Sequence, residues 1–158
     1  MKKLNPKSGD VQVVITAPSR ELATQIYQAT KQIAKHSETE IRVVNYVGGT
    51  DKQRQIEKLK VAQPHIVIGT PGRIYDLVKS GDLAIHKAHT FVVDEADMTM
   101  DMGFLDTVDK IAASLPKEVQ IFGLLSNHPS KTATILEEIF DQSSHGTNQN
   151  FNSYCRHH

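Results

Sequence analysis

The sequence predicts an α/β fold, a three-layer sandwich of helices around a mainly parallel sheet. Three observations carry that prediction. Short runs rich in Val and Ile recur along the chain, and their near-continuous apolar character suits strands covered on both faces. Stretches with one apolar face at helical spacing lie between them. The strict alternation of the two dictates right-handed crossovers and layers of helix on either side of the sheet. Ligands in such folds gather beyond the carboxyl ends of the strands, so the residues that follow each run are where chemistry is sought.

Residues 1–10, "MKKLNPKSGD", read as a leader from a loop between elements. "VQVVITA", Val11 to Ala17, is the first strand, followed by Pro18-Ser19-Arg20-Glu21 and a helix in "RELATQIYQATKQIAKH" that aligns Leu22, Ile26, Ala29 and Ile33. "IRVVNYV", Ile41 to Val47, is the second strand; it ends at Gly48-Gly49, and "DKQRQIEKLKVA" supplies the next helix. "HIVIGT", His65 to Thr70, is the third, and Thr70 can cap the helix of "PGRIYDLVKSG" with Pro71 at its first position. "TFVVDE", Thr90 to Glu95, delivers two adjacent carboxylates and leads through Ala96 and Asp97 to a helix in "FLDTVDKIAASL". "EVQIFGLLSNHPSKT" then begins as a buried strand and runs into Gly123, Ser126, Asn127, His128 and Pro129, where a strand should break.

The chain's 158 residues suit one domain with a real core, and no repeat or linker divides it. The charged fraction is ordinary and the apolar fraction of 39% a little low, because residues 141–158 bury almost nothing except Phe151 and Tyr154 and are expected to be disordered. Positive and negative side chains balance at 18 each, which excludes a global basic field, so any phosphate binding has to be local. A single cysteine, Cys155, excludes an internal disulfide. With no run of membrane-spanning length and no hydrophobic leader, the chain is expected to be cytoplasmic. His86 and His89 form an "HKAH" in a loop and, lacking a third ligand nearby, read as ordinary loop residues.

Asp94 and Glu95 carry the most chemistry. Mg²⁺ takes one or two carboxylates together with waters and substrate phosphates, so Asp94 is placed to hold a nucleotide-bound magnesium, directly or through water. Glu95 would then orient and deprotonate an attacking water. An isolated Asp-Glu pair is explained equally by helix capping, because negative charge favours a helix N-terminus. Arg20 with Glu21 could likewise be an exposed pair of little consequence, and Gly48-Gly49 a plain turn.

The full string "VVDEADMTMDMGF" resembles the motif that gives the DEAD-box RNA helicases their name. "APSRELATQI" is similar to their Pro-Thr-Arg-Glu-Leu-Ala motif with Ser19 for threonine, "VGG" to their paired glycines and "IGTPGRI" to their Thr-Pro-Gly-Arg motif, all in family order. The resemblance covers roughly Val11 to Pro116 and implies the first RecA-like domain, of P-loop NTPase type, of a bacterial ATP-dependent RNA helicase. It implies ATP and Mg²⁺ as cofactors, with Asp94, Glu95 and Asp97 at the nucleotide. It implies RNA as partner, gripped by its sugar-phosphate backbone through Pro18, Arg20, Gly48, Gly49, Thr70, Gly72 and Arg73. Backbone contacts position RNA without reading its sequence.

Relative to that family the fold is expected to be incomplete. No Gly-x-x-x-x-Gly-Lys-Ser/Thr phosphate loop occurs in the chain, and the family's adenine-reading glutamine motif and second domain are not matched either. Residues 11–121 are therefore expected to be a partial helicase ATP-binding domain without activity of its own. Residues 122–158 are expected to be out-of-frame translation. Encoding Phe122 to Pro129 as TTT GGT CTT CTC AGC AAC CAT CCC and dropping one T yields Leu-Val-Phe-Ser-Ala-Thr-Ile-Pro, the strand and Ser-Ala-Thr motif that the family carries here. The alternative is a divergent strand followed by an amphipathic helix in "KTATILEEIF". Two functional alternatives stand beside the helicase reading, a non-catalytic fragment that weakly binds RNA and an unrelated Mg²⁺-dependent α/β enzyme.

Overall fold

The computed structural model describes residues 1–126 and 131–140. Five strands form one parallel sheet: β1 (Val13–Thr16), β2 (Val43–Tyr46), β3 (Ile66–Gly69), β4 (Thr90–Val93) and β5 (Gln120–Gly123), in the spatial order β2-β3-β1-β4-β5. Each expected strand is present. The pairing is in register across the sheet, so Tyr46, Gly69, Thr16, Val93 and Gly123 form one row at its carboxyl edge. That row puts the residues after each strand side by side.

Helices α1 (Arg20–Ala34), α2 (Lys52–Val61), α3 (Pro71–Lys79), α4 (Ala96–Asp101), α5 (Leu105–Ala113) and α6 (Lys131–Phe140) complete the sandwich. Alternation of side chains across the strands divides the core in two. Val13, Ile15, Ile68, Val92 and Phe122 face Ala23 and Ile26 of α1 and Ile135, Leu136 and Ile139 of α6. Val14, Val67 and Phe91 face Leu59 of α2, Ile74 and Leu77 of α3 and Ile111 of α5.

Local chemistry sets the helix starts. The Ser19 hydroxyl accepts from the Leu22 amide at 3.1 Å, and Asp51 accepts from the Arg54 amide at 3.2 Å, each satisfying an orphan donor. Thr70 does occupy the cap position of α3 with Pro71 next, but its hydroxyl makes no capping bond. The first helical bond of α3 runs from the Ile74 amide to the Thr70 carbonyl, so the amides of Gly72 and Arg73 precede the ladder.

Two expectations about the C-terminal third need correction or qualification. The strand does not break at Gly123: β5 pairs with β4 through that residue, and Leu124 extends the ladder by donating to Val93 O at 2.9 Å and accepting from Ala96 N at 2.7 Å. "KTATILEEIF" is a helix, as the alternative reading of that segment expects, and its apolar face closes the core over α1. The expectation of disorder over 141–158 falls outside the described residues.

Candidate functional site

The carboxyl edge of the sheet carries two neighbouring groups of side chains. The first stands on the ends of β1, β2 and β3. Arg20, on the first turn of α1, donates from Nη1 to the Gly48 carbonyl at 3.0 Å. Gly49 has φ of 84°, which favours glycine, and a Cβ there would lie 2.5 Å from Arg20 Nη1, so a side chain would push the guanidinium aside. Gly48 and Gly72 meet no such obstacle, each having open space where a Cβ would go. Arg73 donates to Gln55 Oε1 at 2.8 Å and lies beside Thr50, which follows the glycine pair. Two arginines from separate motifs thus converge on one turn, while Pro18 is buried at the β1 end.

The second group stands on the ends of β4 and β5. The Asp94 amide bonds to Thr16 O at 2.9 Å, which fixes the carboxylate at the mouth of the crevice. Glu95 is left-handed, with φ of 48° and ψ of 56°, a conformation costly for a side chain of its size and one that concentrates at functional sites. The turn is held from below, since the Thr99 amide and hydroxyl both donate to the Glu95 carbonyl, at 2.9 and 3.0 Å. Partial burial raises the Glu95 pKa above its ordinary value, and the negative charges of Asp94 and Asp97 push it the same way. Asp97 moves in the opposite direction, because the Ser126 hydroxyl at 2.7 Å and the Ser126 amide at 3.0 Å donate to its carboxylate. Glu95 is thus shifted toward accepting a proton, while Asp97 is held in its charged form.

A cleft of about 460 Å³ opens between α1 and α6, lined by Ser19, Gln25, Asp94, Glu95, Lys131 and Thr132 among others. Thr132, buried at the first turn of α6, donates its hydroxyl to Asp94 Oδ2 at 2.7 Å. Sequence reasoning missed Thr132, Ser126, Thr50 and Gln55. Ser126 was within reach of it, since the family resemblance expects a Ser-Ala-Thr motif in that segment. Thr132 was not, because only the packing of α6 on α1 brings it to Asp94. The oxygen donors here suit a hard cation carrying its own waters; among the described residues no group of three His, Cys, Asp or Glu side chains forms a closed cage for a metal ion.

A parallel sheet with phosphate-suited turns, arginines and a carboxylate pair in one row at its carboxyl edge defines a RecA-like helicase domain. The DEAD/DEAH box helicase family model matches residues 1–136, and the chain belongs to that family. It is 50% identical over 141 residues to the DEAD-box ATP-dependent RNA helicase CshB of Listeria monocytogenes, an alignment covering 89% of this chain and 32% of that protein. With CshB of Bacillus subtilis the identity is 47% over 142 residues, again 89% of this chain and 32% of the relative. The chain therefore spans about a third of the length of the curated relatives it matches. Among solved structures, a DEAD box protein from Methanococcus jannaschii superposes with a TM-score of 0.68 at 28% identity, over 89% of this chain and 38% of that one. A variant of Saccharomyces cerevisiae Dbp5 bound to RNA and ADP BeF3 shares the fold at a TM-score of 0.68 and 24% identity, over 90% of this chain and 35% of that one. Family membership sets aside the alternative of an unrelated Mg²⁺-dependent enzyme. None of the helices is long and apolar enough to cross a membrane, among the described residues.

Proposed function

We propose that this chain carries the RNA-gripping surface and the hydrolytic carboxylates of an ATP-dependent RNA helicase, and that on its own it binds RNA weakly without turning over ATP. The observation that carries the reading is the bond from Arg20 to the Gly48 carbonyl across a turn whose left-handed backbone at position 49 favours glycine. It joins two sequence motifs into one surface, to which Arg73 brings a third. Arg20 and Arg73 supply the charge, the Gly48-Gly49 turn permits close approach, and Thr70, Gly72 and the α3 amides meet a phosphate. In the complete enzyme Asp94 would hold the Mg²⁺ of a bound nucleotide and Glu95 would orient and deprotonate the attacking water, while Asp97 is tied to the β5 loop through Ser126. Mg²⁺ supplies charge neutralisation at the transferring phosphoryl group. Without a phosphate loop the largest electrostatic stabilisation of that group is missing, so the carboxylates have no correctly held substrate. A chain with one cysteine suits a reducing cytoplasm.

The test is binding of a fluorescent single-stranded RNA at rising salt. Arg20→Ala and Arg73→Ala should each weaken binding uniformly across RNA sequences and lower the salt slope by about 1. Absence of binding at low salt, or binding indifferent to both substitutions, would sink the proposal.

We infer also that residues 122–158 are translated out of frame. One deleted nucleotide restores a family-like strand and Ser-Ala-Thr, while the written frame is matched by the family model only as far as residue 136. Sequencing the gene across the Ile121 and Phe122 codons decides it, and codons incompatible with the shifted reading would overturn it.

A further inference from the structure

Gln55 belongs to none of the motifs that make up the RNA-gripping surface, yet it is bonded to the parts of two of them. It stands on the first turn of α2, and Arg73 stands on the first turn of α3. Its Oε1 accepts from Arg73 Nη1 at 2.8 Å, and its Nε2 donates to Thr50 Oγ1 at 2.8 Å. The partners dictate that orientation of the amide. A guanidinium only donates, so the carbonyl end has to face it. The Thr50 hydroxyl gives its one hydrogen to the Val47 carbonyl, so it can only accept from the other end. Val47 and Thr50 bracket Gly48-Gly49, and one glutamine therefore ties the α3 arginine to the glycine turn.

Arg73 Nη1 also approaches Thr50 O at 3.3 Å and Thr50 Oγ1 at 3.4 Å. Both contacts are longer than an ordinary N–H···O bond, so Gln55 supplies the anchor. All three leave from the same nitrogen, and Nη2 and Nε of Arg73 have no partner among the described residues. The guanidinium is thus held by one prong while the other donors stay open, in the planar geometry that suits a phosphate.

We propose, on the RNA-binding reading above, that Gln55 is a positioning residue for RNA, holding Arg73 beside the Gly48-Gly49 turn so that its unpartnered donors meet the sugar-phosphate backbone. Without that acceptor the arginine keeps its charge but has to be ordered when RNA arrives, which lowers affinity. A glutamine that only docked α2 on α3 would change stability and leave RNA affinity alone.

Anisotropy titrations of the full chain with a fluorescent single-stranded RNA separate the two roles. Gln55→Ala, and Gln55→Met, which keeps the length of the side chain without its polar end, should each weaken binding by about 2- to 10-fold, the range expected for ordering one free side chain. Far-UV circular dichroism should stay unchanged. In an Arg73→Ala background the same substitutions should shift affinity by less than about 2-fold, whereas in an Arg20→Ala background their effect should persist in full. Wild-type affinity in both Gln55 variants, or an equal loss with Arg73 present and absent, would overturn the positioning role and leave the RNA-binding reading standing. Arg73→Ala binding as tightly as the wild type would overturn that reading, and this role with it.

Discussion

At Gly69 a Cβ would lie 2.1 Å from the Tyr46 carbonyl oxygen, a backbone atom that cannot step aside because it accepts the Thr70 amide. Gly69→Ala should therefore cost about 1–3 kcal/mol, read as a lowered urea midpoint. Gly49→Ala should act differently, costing about 1–2 kcal/mol for a left-handed alanine and also displacing the Arg20 guanidinium. Its RNA affinity should fall as far as that of Arg20→Ala, and an anisotropy titration compares the two directly. His65 is fully buried, accepts the Arg42 amide at Nδ1 and donates from Nε2 to the Pro6 carbonyl. Burial, and then the charge of Arg42, hold its pKa below the ordinary value; burial, with Lys2 and the amino terminus, lowers that of His89 to about 4. The unfolded chain takes up these protons near pH 6.5, before the folded one does. Stability should accordingly fall as pH drops from about 6.5 toward 4, and melting temperatures of the wild type and of His65→Gln across that range should show the variant falling less. The glycine pair was visible in the sequence as a motif, but which glycine is indispensable depends on where the Arg20 guanidinium comes to rest. The constraint on Gly69 was not visible at all, because it arises from the neighbouring strand.

Among the elements, strands and long helices followed from periodicity alone, since a run of Val and Ile between amphipathic stretches leaves few arrangements for a buried sheet. Pattern failed at the short α4, whose turn is set by the left-handed Glu95, and at the end of β5, where Gly123 costs the ladder nothing because the β4 side supplies the pairing. α6 shows how little identity matters to burial when spacing is right. Ile135, Leu136 and Ile139 are each at most 1% exposed against the α1 face, whatever reading frame produced them. Leu136→Ala should cost about 2–5 kcal/mol in denaturant unfolding. Because Leu136 also lines the cleft above Asp94, loss of α6 packing should release the Thr132 hydroxyl from that carboxylate.

Over the whole molecule, chemistry is confined to one rim. Each motif of the family resemblance lies at or after the end of a strand, and the common register brings those ends into a single row. Phosphate release from ATP with Mg²⁺ should stay at background for this chain, with or without RNA; turnover abolished by Glu95→Gln would overturn that expectation. The same strand order has a consequence in time. Of the five strands β1 comes first in the sequence yet sits between β3 and β4, so its second partner does not exist until Val93 has been made. A nascent chain stalled before that point holds a fully buried strand with one side open, and contacts spanning so much sequence form slowly. Synthesis of this domain should therefore have a vulnerable interval, lasting until β4 emerges, in which chaperone binding to the nascent chain is strongest.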